Sequence, residues 1–155
     1  MKIILVISSL LISGIIIYLY SLAYISKSYS APGLVNEQLS KCSANPNCAC
    51  SEFEEDEPHY IEPIQLSLTD DSKILENIKT TLQKMNGTVI TEDDSYISAT
   101  FTSNIFGFID DFEIRIDRRQ KLIHIRSASR VGRSDFGANI KRINLIKKEL
   151  RAQLQ

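Results

Sequence analysis

The stretch FIDDFEIRIDRRQKLIHIRSAS, residues 108–129, decides the fold. Apolar and polar side chains alternate on both sides of a charged, turn-forming run, which predicts two antiparallel β-strands joined as a hairpin. If Asp117 faces Leu122 across the turn, antiparallel pairing places Glu113 opposite Arg126. The hairpin therefore predicts an antiparallel sheet at the centre of the domain.

The same register brings polar groups onto the apolar face of the hairpin. Asp110 shares that face with Ser127 and Ser129, whereas Glu113 lies on the other face. A carboxylate among apolar side chains must be paired or protonated. We therefore expect Ser127, Ser129 and Arg130 to be the partners of Asp110.

Helices and further strands flank the hairpin. Helical periodicity predicts one helix that ends at Asn86-Gly87 in left-handed geometry, and a C-terminal helix capped by Ser134 or Asp135. We predict an α+β fold in the order β-α-β-β-β-β-α, a mostly antiparallel sheet of about five strands with two helices on one face. The predicted strands are residues 61–66, 88–92, 96–102, 108–117 and 122–129; the first helix has Asp70, Asp71 and Ser72 as candidate caps; and the last has the apolar stripe Phe136, Ile140, Ile143, Ile146, Leu150 and Leu154.

An uncharged apolar segment from Ile3 to Ile25 precedes the domain. As a helix it is about 34 Å long, enough to cross a hydrocarbon core of about 30 Å. We interpret residues 1–25 as a single-pass transmembrane anchor or signal anchor with its N-terminus inside; a cleaved signal peptide is the alternative. Both interpretations export the remainder of the chain, so we expect an extracytoplasmic domain at a membrane.

The segment between the anchor and the hairpin domain lacks a clear periodicity. We predict that residues 26–60 form a poorly structured tether and that the α+β domain covers residues 61–155. The acidic run from Glu52 to Glu57 is expected to be solvated and self-repelling.

Three cysteines lie within nine residues of the tether. Cys42 and Cys48 flank a turn-forming run, so we predict a structural disulfide between them that leaves Cys50 as the odd thiol. Free thiols, a metal site completed by His59, and a redox pair are the alternatives. The spacing matches no familiar zinc motif, and we predict no metal and no cofactor.

Charge is distributed unevenly along the chain. Residues 32–114 hold 16 acids and 4 bases, whereas residues 115–155 hold 12 bases and 3 acids. The first interpretation is that the halves neutralise each other on folding; the second is a basic surface that faces anionic lipid, a protein partner or another polyanion. The basic face of the last helix consists of Lys141, Arg142, Lys147, Lys148 and Arg151. An exported domain is not expected to meet nucleic acid.

The candidate ligand-binding site lies at the open end of the hairpin. It consists of Asp110, Asp111, Arg126, Ser127, Ser129 and Arg130. One interpretation is structural, with the acids and Glu113 paired to the arginines. The second is an anion-binding lip near Gly132, where Arg133 is either a ligand contact or a solvated side chain, and the third is acid–base catalysis by Asp110 or Asp111. Strand parity places His124 away from the apolar face, so we expect it at the surface and assign no catalytic residue.

Several of these segments resemble one known family. They are the Cys42 to Cys48 loop with its Asn-Pro-Asn, FGFIDDFE at 106–113, RSASRVG at 126–132 and DFGAN at 135–139, which are similar to the family called domain of unknown function 1499. The resemblance spans about residues 39–150 and implies an exported or membrane-anchored bacterial or plastid protein with no assigned reaction. The chain departs from the family pattern at Arg133, Ile140 and Cys50, where we expect an aromatic residue, Arg and Ser.

The sequence supports two functional hypotheses. The first is a non-catalytic binding or accessory domain at the outer face of a membrane, with anionic lipid or a protein as partner of the basic C-terminal helix. The alternative is a small anionic-ligand binder or enzyme that uses Asp110 and the segment from Arg126 to Arg130.

Overall fold

A computed structural model of the chain describes residues 2–66 and 73–153. It contains three helices and eight strands in these residues. They are α1 (Lys2–Ser26), β1 (Leu34–Val35), β2 (Gln38–Leu39), β3 (Cys48–Cys50), β4 (Ile64–Gln65), α2 (Ile74–Lys84), β5 (Thr88–Glu92), β6 (Tyr96–Thr102), β7 (Ile109–Asp117), β8 (Leu122–Ser129) and α3 (Ala138–Gln153).

The main sheet is antiparallel and has six strands. Its order is β3-β8-β7-β6-β5. β4 pairs with β8 as well, nearer the hairpin turn than β3. In the hairpin β7–β8, Asp117 faces Leu122 and Glu113 faces Arg126, as predicted. The α+β class and the predicted succession of strands and helices are thereby confirmed, with β3 as an additional strand.

The inner face of the sheet carries the hydrophobic core. Apolar side chains of β6, β7 and β8 pack there against α2 and α3, whose buried residues include Ile78, Leu82, Ile143, Ile146 and Leu150. The predicted stripe of the last helix is wrong at its beginning, since Phe136 is 99% exposed and Ile140 is 45% exposed. The physical reason is that α3 begins only at Ala138, so Phe136 belongs to the preceding loop, where its φ is 53°.

The outer face of the sheet is covered by residues 33–60, which we call the strap. One part of the strap, β3, pairs with β8 as an edge strand of the sheet. Cys50 also forms an isolated backbone β-bridge with Tyr60, and Leu39 is buried. The prediction of a poorly structured tether is wrong for this part of the chain. The outer face bears charged side chains that need partners, and the strap supplies two of these partners, the Gly33 amide for Glu113 and Glu52 for Arg115.

Helix α1 is apolar and long enough to cross a membrane, and its most hydrophobic window is not buried against the domain. Its C-terminal end nevertheless packs on the domain. Ser26 Oγ accepts a hydrogen bond from the Ile109 amide at 3.2 Å, and the Tyr20 and Phe106 rings stand edge to face at 5.3 Å. Ala23 and Ser26 are buried in this contact.

The end of α2 agrees with its prediction, because Asn86 adopts left-handed geometry with a φ of 63° directly after the C-cap residue Met85. The candidate caps Asp70, Asp71 and Ser72, and Leu154 of the last stripe, lie outside the described residues.

Candidate functional site

The six residues of the predicted site are divided between the two faces of the sheet. Side chains of neighbouring residues in a strand point to opposite faces. Asp110 therefore lies on the inner face and Asp111 on the outer face. Ser127 and Ser129 accompany Asp110, whereas Arg126 and Arg130 act on the outer face with Asp111 and Glu113. The residues do not converge on one ligand position.

On the outer face, Arg130 binds Asp111 with a fork of hydrogen bonds. Its Nε donates to both carboxylate oxygens at 3.0 and 2.9 Å, and one terminal nitrogen donates to Oδ1 at 2.7 Å. The other terminal nitrogen donates to the Ser26 carbonyl oxygen at 3.2 Å. Bidentate geometry of this kind gives strong, directional pairs. Arg130 thereby joins the end of α1 to the sheet.

Glu113 is the centre of a second buried cluster on the outer face. Its Oε1 accepts hydrogen bonds from the Gly33 amide at 3.0 Å and the Tyr96 hydroxyl at 2.7 Å, while Oε2 accepts from Arg126 at 2.7 Å. Burial and the hydrogen bond to Glu113 raise the pKa of Tyr96, so this hydroxyl remains a donor. Arg126 Nε is buried without a hydrogen-bond partner among the described residues. The carboxylate is fully engaged, and it joins the strap at Gly33 to β6 and β8.

A third pair closes the outer face at the turn end of the hairpin. Glu52 accepts hydrogen bonds from Arg115 Nε at 2.6 Å and Nη2 at 3.0 Å. The Glu52 side chain is 1% exposed, so the acidic run is not a uniformly solvated linker as predicted. Its partner lies 63 residues later in the chain.

His124 is buried, which corrects the prediction of a surface histidine. It lies on the expected face, but the strap covers that face, and His124 Nδ1 lies 3.2 Å from the Ser51 carbonyl oxygen. Burial lowers the pKa of His124, with Arg115 acting in the same direction and the Glu52 carboxylate opposing it. Glu52 does not reverse the shift because Arg115 already neutralises it. The residue is a neutral buried histidine at neutral pH.

On the inner face, the partner of Asp110 is Arg142 rather than Arg130. Arg142 Nη2 donates to Asp110 Oδ2 at 2.8 Å, and Nη1 donates to Ser127 Oγ at 3.2 Å. Its guanidinium carbon lies 4.6 Å from the centroid of the Phe101 ring. The sequence assigned Arg142 to a solvated basic face, but the cation is inserted between α3 and the sheet.

Asn139 is the other residue that the sequence prediction missed. Its amide nitrogen donates to the Asn47 carbonyl oxygen and to Ser129 Oγ, both at 3.0 Å, and its amide oxygen accepts from Ser127. The position was detectable, because Asn139 precedes Ile143 by one helical turn and so belongs to the buried stripe. The cluster of Asp110, Ser127, Ser129, Asn139 and Arg142 joins β7, β8 and α3.

The two serines of the inner-face cluster are engaged in hydrogen bonds. Ser127 and Ser129 bond to Asn139 and Arg142, and His124 lies on the opposite face of the sheet. Among residues 2–66 and 73–153, no serine–histidine pair on the inner face can therefore act as nucleophile and base. Arg133 lies in the loop between β8 and α3. Its side chain is exposed, and the described part of the chain provides it with no hydrogen bond or ion pair.

The basic face of α3 is only partly free. Lys141, Lys148 and Arg151 are exposed. Lys147 instead donates to the Glu62 carbonyl oxygen at 2.6 Å, and burial lowers its pKa. Arg142 is consumed by the inner cluster.

The cysteines follow the structural interpretation. Cys42 and Cys48 form a disulfide, and the Cys50 thiol is free and buried. Burial raises the pKa of Cys50 to about 11, so the thiolate is scarce at neutral pH. His59 bonds to Asp56 and to the Asn45 carbonyl oxygen. Residues 2–66 and 73–153 contain no group of three side chains arranged to hold a metal ion.

A groove of about 580 Å³ lies beside the end of α1. Two loops form its walls, residues 103–108 before β7 and residues 131–138 before α3, and Leu19 and Leu22 of α1 form its third side. Ile105 and Phe136 project from these loops and are 76% and 99% exposed. The lining is mostly apolar, so the groove suits an apolar ligand.

Comparison with known proteins places the chain in a family. Among curated proteins, none matches the chain. The model of a family described as a protein of unknown function, DUF1499, matches residues 38–150, which include the strap from β2 onward, the sheet and most of α3. The match agrees with the resemblance seen in the RSASRVG and FGFIDDFE segments. The chain belongs to the DUF1499 family of proteins of unknown function.

Proposed function

We propose that this protein is a non-catalytic binding domain anchored at the outer face of a membrane through residues 3–25. The apolar, unburied helix α1 supports the anchor, and the Cys42–Cys48 disulfide fits an oxidising compartment outside the cytoplasm.

One observation carries the proposal: the domain is held against the end of α1, and its apolar groove opens at that same end. A flexible tether would leave the binding surface free to face any direction. Here the contacts of Ser26 with Ile109 and Arg130 orient the groove toward the bilayer that α1 would enter. The binding surface is therefore the end of the domain next to the membrane.

The alternative, an anion binder or enzyme built on the hairpin residues, has less support. Asp110, Asp111 and Glu113 are each paired with an arginine. The side chains of Arg126 and Arg130 are about nine-tenths buried in these pairs. A ligand anion would have to displace a buried carboxylate, which leaves that carboxylate without its cation.

The position of α3 determines on which side of the domain its exposed cations lie. α3 begins at the groove, and Lys147 contacts Glu62 near the opposite end of the hairpin. The exposed Lys148 and Arg151 therefore lie away from the membrane side. A partner of these cations is a soluble acidic protein rather than anionic lipid.

Membrane topology tests the proposal directly. In a Cys50→Ser background, Arg119→Cys places one thiol in the exposed turn of the hairpin, and Lys2→Cys places one at the other end of α1. In intact spheroplasts, a membrane-impermeant maleimide should label Arg119→Cys, and label Lys2→Cys only after permeabilisation. The full-length chain should resist carbonate extraction. Labelling in the reverse order, or release of the chain by carbonate, overturns the proposal.

A further inference from the structure

The groove beside α1 lies at the level of the apolar span itself. Leu19, which lines it, precedes Ile25 by six residues, so it lies about 9 Å inside the apolar segment at about 1.5 Å per residue. Elements that bind a membrane interface insert their apolar face by about 5–10 Å. In a membrane that α1 crosses as far as Ile25, the apolar tips of the loops that share the groove with Leu19 would therefore reach the acyl boundary of the leaflet.

The exposed apolar side chains agree with this depth. Ile105 and Phe136 come from different loops, and both project at the end of the domain where α1 lies. In water each would expose a large apolar surface, which is unfavourable by about 25 cal/mol per Å². Contact with lipid removes that cost. The two residues form a pair of apolar tips on either side of the groove.

Several polar side chains of the groove lining are already hydrogen-bonded within the protein. Asp135 accepts hydrogen bonds from the amides of Gly137 and Asn139, and Asp110 is paired with Arg142. Ser103 Oγ accepts from the Phe108 amide. The lining therefore offers an occupant apolar contact rather than hydrogen-bonding groups that await a polar ligand.

We propose that the groove binds one acyl chain of a membrane phospholipid, and that Arg133 at its edge contacts the phosphate of the same lipid. The proposal rests on the membrane anchoring proposed above. The occupant is a phospholipid because two side chains of the span form one wall, so bilayer lipid is the medium into which the groove opens. Its volume lies within the roughly 300–1,000 Å³ typical of small-ligand sites.

Arg133 provides the polar end of the site. Its neighbours Gly132 and Ser134 line the groove, and its side chain is exposed. A guanidinium matches the geometry of a phosphate and binds it by paired hydrogen bonds. A chain in the groove would thus have its headgroup beside a cation.

Photo-crosslinking in the full chain tests the proposal. The protein is reconstituted in nanodiscs that contain phosphatidylcholine with a diazirine in one acyl chain, and adducts are mapped by mass spectrometry. We expect adducts on Phe108 and Ile109 in the groove, as well as on the span. Val131→Trp should lower the groove adducts about tenfold, the effect of displacing about two methylene groups from apolar contact. The matched control is Ile90→Trp, on β5 and 61% exposed, which should leave them unchanged.

The outcomes separate the two proposals. Adducts on the span alone overturn the groove site and leave the anchor intact, whereas adducts on neither overturn both. Groove adducts that persist in Val131→Trp overturn acyl binding inside the groove.

Tryptophan fluorescence gives a second measurement that does not depend on filling the groove. The chain contains no tryptophan, so Phe136→Trp introduces one reporter. Brominated phosphatidylcholine should quench Phe136→Trp strongly and Ile90→Trp weakly. Equal quenching at both positions overturns the predicted depth of the loops.

Discussion

Arg130 binds both carboxylate oxygens of Asp111 and, with its remaining terminal nitrogen, the carbonyl oxygen at the end of the apolar helix. The pair is therefore more than a neutralised charge in the sheet. It fixes the direction in which α1 leaves the domain, and with it the position of the groove relative to α1.

Removal of the Arg130 side chain should weaken the contact between α1 and the sheet. Arg130→Ala leaves Asp111 buried without a partner and the Ser26 carbonyl without a donor. We expect a loss of about 3 kcal/mol in the free energy of unfolding, in the range of broken buried ion pairs. Urea denaturation of the full chain in detergent, followed by circular dichroism, measures it.

Arg133→Ala is the matched control, because this arginine is exposed three positions later. It should change stability by no more than about 0.5 kcal/mol. Similar losses in both variants would show that the Arg130 fork contributes nothing specific.

His124 makes stability depend on pH. Burial lowers its pKa in the folded state below its ordinary value of about 6.5, so the unfolded chain binds the proton more readily. Stability from this group is present above about pH 6.5 and is lost as the pH falls toward the folded pKa. Denaturation between pH 7.5 and pH 5 (roughly the range in which histidines titrate) should show this decline.

The variant His124→Asn isolates the effect, since every other ionisable group is the same in the two proteins. We expect a shallower loss of stability on acidification in the variant. A steeper loss in His124→Asn would mean that attraction to Glu52 outweighs burial, which is the opposite sign.

The hairpin register was predictable from the sequence because strand alternation leaves few alternatives. Phe112, Ile114 and Ile116 have to share the buried face, and a shift by one residue would expose all of them. The turn after Asp117 then determines every opposite pair, including Glu113 with Arg126. Local patterning was therefore sufficient for the centre of the sheet.

The strap was not predictable in the same way. β1, β2 and β3 have only two or three residues each, too short for alternation to be visible. Glu52 also looks like a solvated acid in the run that contains it, and its contact with Arg115 bridges 63 positions. Such pairing is decided by tertiary structure.

Tertiary structure also determines the pairing of residues in the candidate site. The sequence identified the polar residues at the open end of the hairpin, but it treated Asp110 and Asp111 as one group. The alternation of side chains along β7 is sufficient to place them on opposite faces of the sheet. The true partner of Asp110, Arg142, lies on a helix whose rotation about its axis is set by packing of Ile143 and Ile146.

Gly87 should resist substitution for lack of space. A Cβ at this position would lie 2.8 Å from Phe101 Cζ and 2.9 Å from the Leu82 carbonyl oxygen. Gly87→Ala should therefore destabilise the domain by about 1–3 kcal/mol, as overpacked cores do. Thermal unfolding of the two proteins gives the difference. Gly14→Ala is the control, because nothing lies within 4 Å of its added Cβ, and it should not destabilise the protein.

The Cys42–Cys48 disulfide should stabilise the strap where it crosses β8. The two cysteines are six positions apart, and a loop of about seven residues contributes about 2 kcal/mol through the entropy of the unfolded chain. The loop also includes Asn47, whose carbonyl oxygen accepts hydrogen bonds from the Ser129 amide and the Asn139 side chain.

We expect the double variant Cys42→Ser/Cys48→Ser to lose about 2 kcal/mol of unfolding free energy in urea denaturation. The Ser129 amide should lose hydrogen-exchange protection before the Ile114 amide does. Reductant should reproduce both effects in the wild-type chain and neither in the double variant. If the double variant and the reduced wild type keep full stability and a protected Ser129, the strap is held by its ion pairs alone.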